Sequence, residues 1–156
     1  MAGGGDIILI PEIKYDLDSI YRYLEHRAKQ KKYYSIVVVA EGIDKPKTKS
    51  AARYISQKIR NNTGLESRET ILGYIQRGGS PNAMDRVLAT RFGSYAAELI
   101  SKGQYGQMVR KRGEIIEGVP LEDVAGKLRN VPKDHPLIKK AYGLGICMGD
   151  SFLRER

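Results

Sequence analysis

Arg68-Glu-Thr-Ile-Leu-Gly-Tyr-Ile-Gln-Arg-Gly-Gly-Ser-Pro81 predicts a strand, a glycine-rich turn and the start of a helix, in that order. The isoleucines and the leucine between residues 68 and 75 give the strand a buried character. The paired glycines let the backbone turn sharply and approach a ligand closely. Ser80 is a suitable N-cap for the helix that follows. This order of elements is typical of a phosphate-binding turn at the N-terminus of a helix.

The rest of the chain repeats the alternation of strand and helix. Apolar runs predict buried strands, and apolar residues at spacings of three and four predict helices. The predicted strands cover residues 6–10, 35–40 and 68–75, and the predicted helices cover residues 16–28, 50–62 and 80–101. Downstream we expect a hairpin over residues 108–119, a short helix over 120–128 and a partly helical tail over 136–156. The order predicts a three-layer α/β/α fold with a mostly parallel sheet.

Composition excludes several classes of protein. The chain has 156 residues, 41% of them hydrophobic, which suits a single globular region. No apolar run reaches the roughly 18 residues that predict a membrane span. The single cysteine, Cys147, excludes an internal disulfide or a cysteine metal cluster, so we expect a reducing, cytoplasmic location. A net charge of +9 indicates anionic ligands or partners.

Polar residues follow each predicted strand and are the candidates for ligand binding. Glu12 follows the first strand, Glu41 follows the second, and Arg77 follows the third. Ligands of parallel sheets bind at the carboxyl ends of the strands, so we expect these side chains to converge. A carboxylate accepts hydrogen bonds from sugar hydroxyls, and arginines such as Arg68 and Arg77 bind phosphate bidentately. The set favours a phosphorylated sugar over a nucleotide, because no standard nucleotide loop is present.

Each of these residues also has a purely structural interpretation. Arg68 is close enough in sequence to pair with Glu66 or Glu69 at the surface. Glu41 suits an ordinary loop, and Tyr74 suits a buried position on a strand. No Ser/His/Asp set and no metal-ligand spacing stands out in the sequence.

The motifs together resemble 6-phosphofructokinase of the bacterial ATP-dependent type. The resemblance rests on Leu72-Gly-Tyr-Ile-Gln-Arg-Gly-Gly-Ser-Pro81, Asp85-Arg-Val-Leu-Ala89, Ile10-Pro-Glu12, Val37-Val-Val-Ala-Glu-Gly42 and Glu66-Ser-Arg68, in the family's order. It extends over essentially all of residues 1–156, as one region, and matches only the C-terminal half of that enzyme. We therefore expect half of the two-domain phosphofructokinase fold, as part of a longer protein.

The resemblance implies a fructose 6-phosphate site. The family transfers the terminal phosphoryl group of ATP to the 1-hydroxyl of this sugar with Mg²⁺. Glu41 is expected to bind the sugar hydroxyls, and Arg77 to bind near the sugar and its phosphate. Arg68 is expected to reach the phosphate in a neighbouring subunit. Tyr74 stands where many members carry a histidine, and its neutral ring attracts phosphate less than a charged imidazole.

The resemblance also implies an effector site. Glu12 is expected to bind Mg²⁺ on an activating ADP, and Lys32 to bind the effector phosphates. Gln30 replaces an arginine of well-regulated members, and Tyr33 and Tyr34 replace a Lys-His pair. These exchanges put control by ADP or phosphoenolpyruvate in question.

Three motifs of the family are missing from this chain: the Thr-Ile-Asp-x-Asp strand end with the catalytic base, the Gly-Gly-Asp-Gly loop for ATP and Mg²⁺, and Met-Gly-Arg. We expect no catalytic residue in the chain and no turnover without the ATP-binding half. The expected partners are that N-terminal half and further copies in a tetramer, with no nucleic acid and no membrane. The alternatives are a pyrophosphate-dependent enzyme, a module that binds nucleic acid through the basic residues 45–60, and an interaction-only protein.

Overall fold

The computed structural model describes residues 1–150, and residues 151–156 lie outside the described part. The chain divides into two compact units. The first unit comprises Met1–Ile71 and the chain from Asn130 onward, and the second comprises Leu72–Arg129. Each unit has its own small sheet and its own helices.

The first unit is built on a parallel pair of strands. Strand β1 covers Ile7–Leu9 and strand β2 covers Val37–Val39, in parallel register with Ile7 opposite Val37. Cys147 forms a parallel bridge to Ile7. The predicted α/β class with a parallel sheet is therefore confirmed.

Two helices share a core with this pair of strands. Helix α1 covers Leu17–Lys29 and helix α2 covers Ala51–Thr63. Asp16 and Ser50 are the N-caps, because their side chains accept backbone N–H groups, and Gly64 ends α2 with a φ of 69°. Cys147 is buried, whereas Ala28 in the last turn of α1 is exposed. The buried core comprises Ile7, Leu9, Ile20, Leu24, Ile43, Ala51, Ile55, Ile59 and Cys147.

The C-terminal part of the first unit contains a helix that covers Pro136–Gly143. His135 caps it, since its imidazole accepts the N–H of Leu137. Ile138 and Ala141 are the buried residues of this helix. The predicted helical tail is thus confirmed in part, and its last six residues fall outside the described residues.

The second unit combines helix α3, Ala83–Ser101, with a hairpin of β3, Gln107–Arg112, and β4, Ile115–Pro120. The hairpin is antiparallel, as predicted. Leu99 is the buried residue of α3, and Arg91 donates to the carbonyl of Glu114 at 2.6 Å. The C-terminal half of α3 therefore packs on the hairpin, while its N-terminal half is exposed.

Two predictions about this region were wrong. The strand over residues 68–75 is not formed, and a 3-10 helix covers Gly73–Arg77 instead. Gly73 has a φ of 53°, which is outside the range of a strand, and residues 68–80 are all exposed, with no neighbouring strand among residues 1–150 to supply hydrogen bonds. The helix expected over residues 120–128 shrinks to a 3-10 turn at Leu121–Asp123.

Candidate functional site

Glu41 lies where the sequence predicted it, directly after the second strand. The backbone N–H of Ala40 bonds the carbonyl of Leu9 at 3.0 Å, so the end of β2 is tied to the end of β1. Gly42 lies close to Pro11: a Cβ added to Gly42 would be 3.4 Å from the Pro11 ring. The loops after both strands are therefore neighbours, and Glu41 stands exposed beside them.

The carboxylate of Glu12 accepts a hydrogen bond from the backbone of the same chain. Its Oε1 accepts the backbone N–H of Val131 at 2.9 Å, which joins the loop after β1 to the segment that leads to the helix at Pro136–Gly143. The residues described by the structure contain no group of three or more metal-binding side chains. Glu12 Oε2 is the oxygen left for a cation, and Mg²⁺ commonly binds one protein carboxylate together with substrate phosphates. Glu12 can therefore supply one ligand to a magnesium ion that is bound to a nucleotide, but the protein offers no complete set of magnesium ligands among residues 1–150.

A crevice of about 510 Å³ lies beside these loops. Its charged lining comes from Lys14, Asp16, Asp18 and Asp44, and neither Glu12 nor Glu41 lines it. Asp16 is occupied as the cap of α1, and its hydrogen bonds from the hydroxyl and N–H of Ser19 lower its pKa. The crevice is therefore not a binding site formed by Glu12 and Glu41.

Arg68 forms an ion pair with Glu66 at the surface, which is the structural interpretation that the sequence analysis gave for this residue. Its Nε and one terminal nitrogen both lie 3.2 Å from Glu66 Oε1. The side chains of Arg68 and Glu66 are 89% and 76% exposed, so this pair contributes little.

Tyr74 and Arg77 are brought together in the second unit. The guanidinium carbon of Arg77 lies 4.7 Å from the centre of the Tyr74 ring. This distance is that of a cation–π contact, in which the negative face of the aromatic ring attracts the positive guanidinium. The 3-10 helix causes this contact, because three residues per turn place positions 74 and 77 on one side.

The loop after Arg77 leads directly into α3. Gly78 has a φ of 91°, a conformation that glycine adopts without strain. The prediction that Ser80 caps α3 was wrong. Asn82 is the N-cap, and with Asp85 it forms a reciprocal capping box. Asn followed three residues later by an acid was the signal in the sequence.

The predicted residues are divided between the two units. Glu12, Lys32, Glu41 and Arg68 belong to the first unit, and Tyr74 and Arg77 belong to the second. Lys32 lies exposed after α1. Convergence of Glu41 with Arg77 remains a prediction.

Sequence reasoning missed one largely buried charged residue. Arg27 forms a 2.8 Å ion pair with Asp6 and donates from Nε to the Ser35 hydroxyl at 2.9 Å. It also donates to the carbonyl of Tyr34 at 3.2 Å. These contacts fix the start of β1 and the segment before β2, and no local pattern links Arg27 to Asp6 across so many residues.

No helix among residues 1–150 combines the length and apolar character that crossing a membrane requires.

Comparisons with known proteins match this chain to one family. The family model described as Phosphofructokinase matches residues 1–100. The chain is 54% identical over 149 residues to ATP-dependent 6-phosphofructokinase 3 of Bacteroides thetaiotaomicron, covering 96% of this chain and 44% of that protein. It is 47% identical to an ATP-dependent 6-phosphofructokinase of Spirochaeta thermophila, covering 96% of this chain and 46% of that protein. It is 40% identical to an ATP-dependent 6-phosphofructokinase of Propionibacterium freudenreichii, covering 96% of this chain and 49% of that protein.

A solved structure supports the fold. The pyrophosphate-dependent phosphofructokinase of Nitrosospira multiformis matches 99% of this chain and 46% of its own, with a TM-score of 0.57 and 20% identity. At that identity the likeness concerns the fold alone. The chain spans about half the length of the curated relatives it matches. With residues 1–100 matched by the family model and relatives at up to 54% identity, the chain belongs to the phosphofructokinase family.

Proposed function

We propose that this chain is the fructose 6-phosphate-binding part of an ATP-dependent 6-phosphofructokinase. The identity of 54% to a relative with that name, over 96% of the chain, is the observation that carries the proposal. The complete enzyme phosphorylates fructose 6-phosphate to fructose 1,6-bisphosphate in glycolysis, in the cytoplasm. ATP is the proposed donor, because the relatives at 40%, 47% and 54% identity are named for it.

The stacked pair of Tyr74 and Arg77 is the proposed centre of the phosphate site. Arg77 presents fixed charge and in-plane donors to the 6-phosphate, and Tyr74 holds the guanidinium and adds a hydroxyl donor. Glu41 binds the sugar hydroxyls. Arg68 exchanges its exposed pair with Glu66 for the phosphate of a neighbouring copy.

The proposed partners are the ATP-binding half and further copies of the protein, as a tetramer. Exposed apolar side chains support such assembly, because Ile71, Leu72, Ile75, Met84 and Val87 lie in one exposed stretch of the chain. Mg²⁺ and ATP would be held by the other half, where the metal neutralises charge that develops during phosphoryl transfer. Glu12 and Lys32 are proposed to bind Mg-ADP as effector, with Glu12 offering its one remaining oxygen.

A chimeric enzyme tests the proposal. This chain replaces the matching segment of the Bacteroides relative, and activity is measured with fructose 6-phosphate, Mg²⁺ and either ATP or pyrophosphate. We expect ATP-dependent activity in the chimera and none in the isolated 156-residue chain. A folded chimera that lacks activity, or an isolated chain that turns over, would contradict the proposal.

A further inference from the structure

Tyr15 joins the loop after β1 to the loop after β2. Its hydroxyl donates a hydrogen bond to the backbone carbonyl of Asp44. Twenty-nine positions separate the two residues along the chain, so the bond connects segments that only the fold brings together. Neither residue belongs to the motifs from which the sugar-phosphate site was predicted, and the proposed function gives neither of them a role. The bond lies within this chain and does not rely on an exposed surface.

The backbone and ring of Tyr15 are held by their surroundings. The side chain is partly buried and packs against the core of the first unit. The N–H of Asp16 bonds the carbonyl of Gly149 at 2.7 Å, and a Cβ added to Gly149 would lie 2.7 Å from the Cβ of Tyr15. Burial, with Tyr54 and the Asp44 carboxylate nearby, raises the pKa of Tyr15 above its ordinary value. The hydroxyl therefore keeps its proton at neutral pH and remains a donor.

Glu41 lies in a short turn whose two ends are both bonded to the region around β1. At the first end, the N–H of Ala40 bonds the carbonyl of Leu9 at 3.0 Å. The N–H of Ile43 bonds the carbonyl of Ala40 at 3.4 Å, which closes the turn, and the side chain of Ile43 is buried in the core. At the second end, Asp44 is held by the tyrosine hydroxyl. The backbone on either side of Glu41 is therefore fixed by the fold.

We propose that Tyr15 is a positioning residue for the sugar site. By holding the carbonyl of Asp44, its hydroxyl fixes the turn that places the carboxylate of Glu41 against the sugar hydroxyls. The inference rests on the proposed function, in which Glu41 binds those hydroxyls. Tyr15 contacts neither the sugar nor ATP and acts only through the turn. A carboxylate on a fixed backbone loses less conformational entropy when the sugar binds, so the bond lowers the KM for the sugar.

A purely structural role for the hydroxyl predicts a different result. Its removal would then lower the free energy of unfolding and leave the kinetic constants of the folded enzyme unchanged. Tyr21 offers a matched control in the same unit, because its hydroxyl accepts a hydrogen bond from Asn62 Nδ2 at 3.1 Å, between α1 and α2. Tyr21→Phe therefore removes a tyrosine hydroxyl bond between two helices, whereas Tyr15→Phe removes one from the turn that carries Glu41.

Kinetics of the chimeric enzyme with Tyr15→Phe test the proposal. The substitution keeps the ring and removes only the hydroxyl, and circular dichroism checks that the variant is folded. We expect the KM for fructose 6-phosphate to rise roughly 3- to 10-fold, as the loss of one hydrogen bond implies. The KM for ATP and kcat should stay within about twofold, because the turn serves sugar binding alone. Tyr21→Phe should leave all three constants within about twofold of those of the parent chimera.

Glu41→Gln separates this inference from the proposed function. It should raise the KM for fructose 6-phosphate roughly tenfold or more, and adding Tyr15→Phe should then raise it by less than about twofold, because Tyr15 acts through Glu41. A KM that is unchanged in Tyr15→Phe, or raised equally in Tyr21→Phe, would overturn the positioning role alone. Independent effects of Tyr15→Phe and Glu41→Gln would do the same. An unchanged KM in Glu41→Gln would contradict the proposed function itself, and this inference with it.

Discussion

Arg27→Met is the substitution expected to destabilise the first unit most clearly. It removes a guanidinium that pairs with Asp6 at 2.8 Å, in a place where the two side chains are only 13% and 18% exposed. It also removes the donors to Ser35 and to the carbonyl of Tyr34. Asp6 would keep its hydrogen bond from the N–H of Ile36.

The magnitude follows from the burial of the pair. Breaking a buried ion pair costs about 3–5 kcal/mol, and the residual solvent contact here reduces our expectation to about 2–4 kcal/mol. With a urea m-value of about 2 kcal/mol/M, the middle of the usual range for small proteins, the unfolding midpoint should fall by roughly 1–2 M. Methionine keeps most of the aliphatic volume, so the loss reports the charge and its hydrogen bonds.

Urea unfolding followed by circular dichroism measures this effect. Arg68→Met is the matched control in the same unit, because its pair with Glu66 is largely exposed and should matter by less than about 1 kcal/mol. A double-mutant cycle with Asp6→Asn should give a coupling energy of about 1–3 kcal/mol. If Arg27→Met shifts the midpoint no more than Arg68→Met does, the role assigned to the buried pair is wrong.

Three further substitutions follow from local geometry. Lys31→Gly should stabilise the chain by about 1 kcal/mol in urea unfolding, because the positive φ costs glycine nothing; destabilisation would contradict this. Gly149→Ala should destabilise it by about 2 kcal/mol or more, since the new Cβ would lie 2.6 Å from Leu9 and 2.7 Å from Tyr15 at a φ of 86°; an unchanged melting temperature would refute the clash. Asp16→Ala should cost about 1 kcal/mol at pH 7. The pKa of Asp16 in the folded chain lies below the ordinary 3.8. Its contribution to stability is therefore complete above the pKa of the unfolded chain, and it is lost as the pH falls through the pKa of the folded chain. A stability difference between wild type and the Asp16→Ala variant that stays the same size down to about pH 1, below both pKa values, would contradict the charged cap.

The parts of the fold that depend on local rules could be predicted from the sequence. Helices α1 and α2 have caps and apolar spacing that are set within a few residues, and both were predicted close to their observed ends. The hairpin was predicted because two β-prone runs flank Gly113, and in the structure Gly113 lies in the turn with a φ of 60°. These elements need no distant partner to specify them.

The strand over residues 68–75 was wrong because a strand depends on a neighbour. Its β-branched and aromatic residues favour a strand only where another strand supplies the hydrogen bonds, and residues 1–150 supply none there. The wrong strand also gave a wrong expectation for how Tyr74 and Arg77 lie relative to each other. In a strand, residues 74 and 77 point to opposite faces, whereas the 3-10 helix places Arg77 over the Tyr74 ring.

Kinetics of the chimeric enzyme with Arg77→Ala test the central claim most directly. Loss of a charge-assisted contact to phosphate, worth about 1.5–3 kcal/mol, should raise the KM for fructose 6-phosphate roughly 10- to 150-fold. The KM for ATP should stay within about twofold, as expected for a residue that contacts only the sugar phosphate. Tyr74→Phe, which keeps the stack, should raise the KM for the sugar less than Tyr74→Ala does. A KM for fructose 6-phosphate that is unchanged in Arg77→Ala would contradict the assignment of this chain as the sugar-phosphate site.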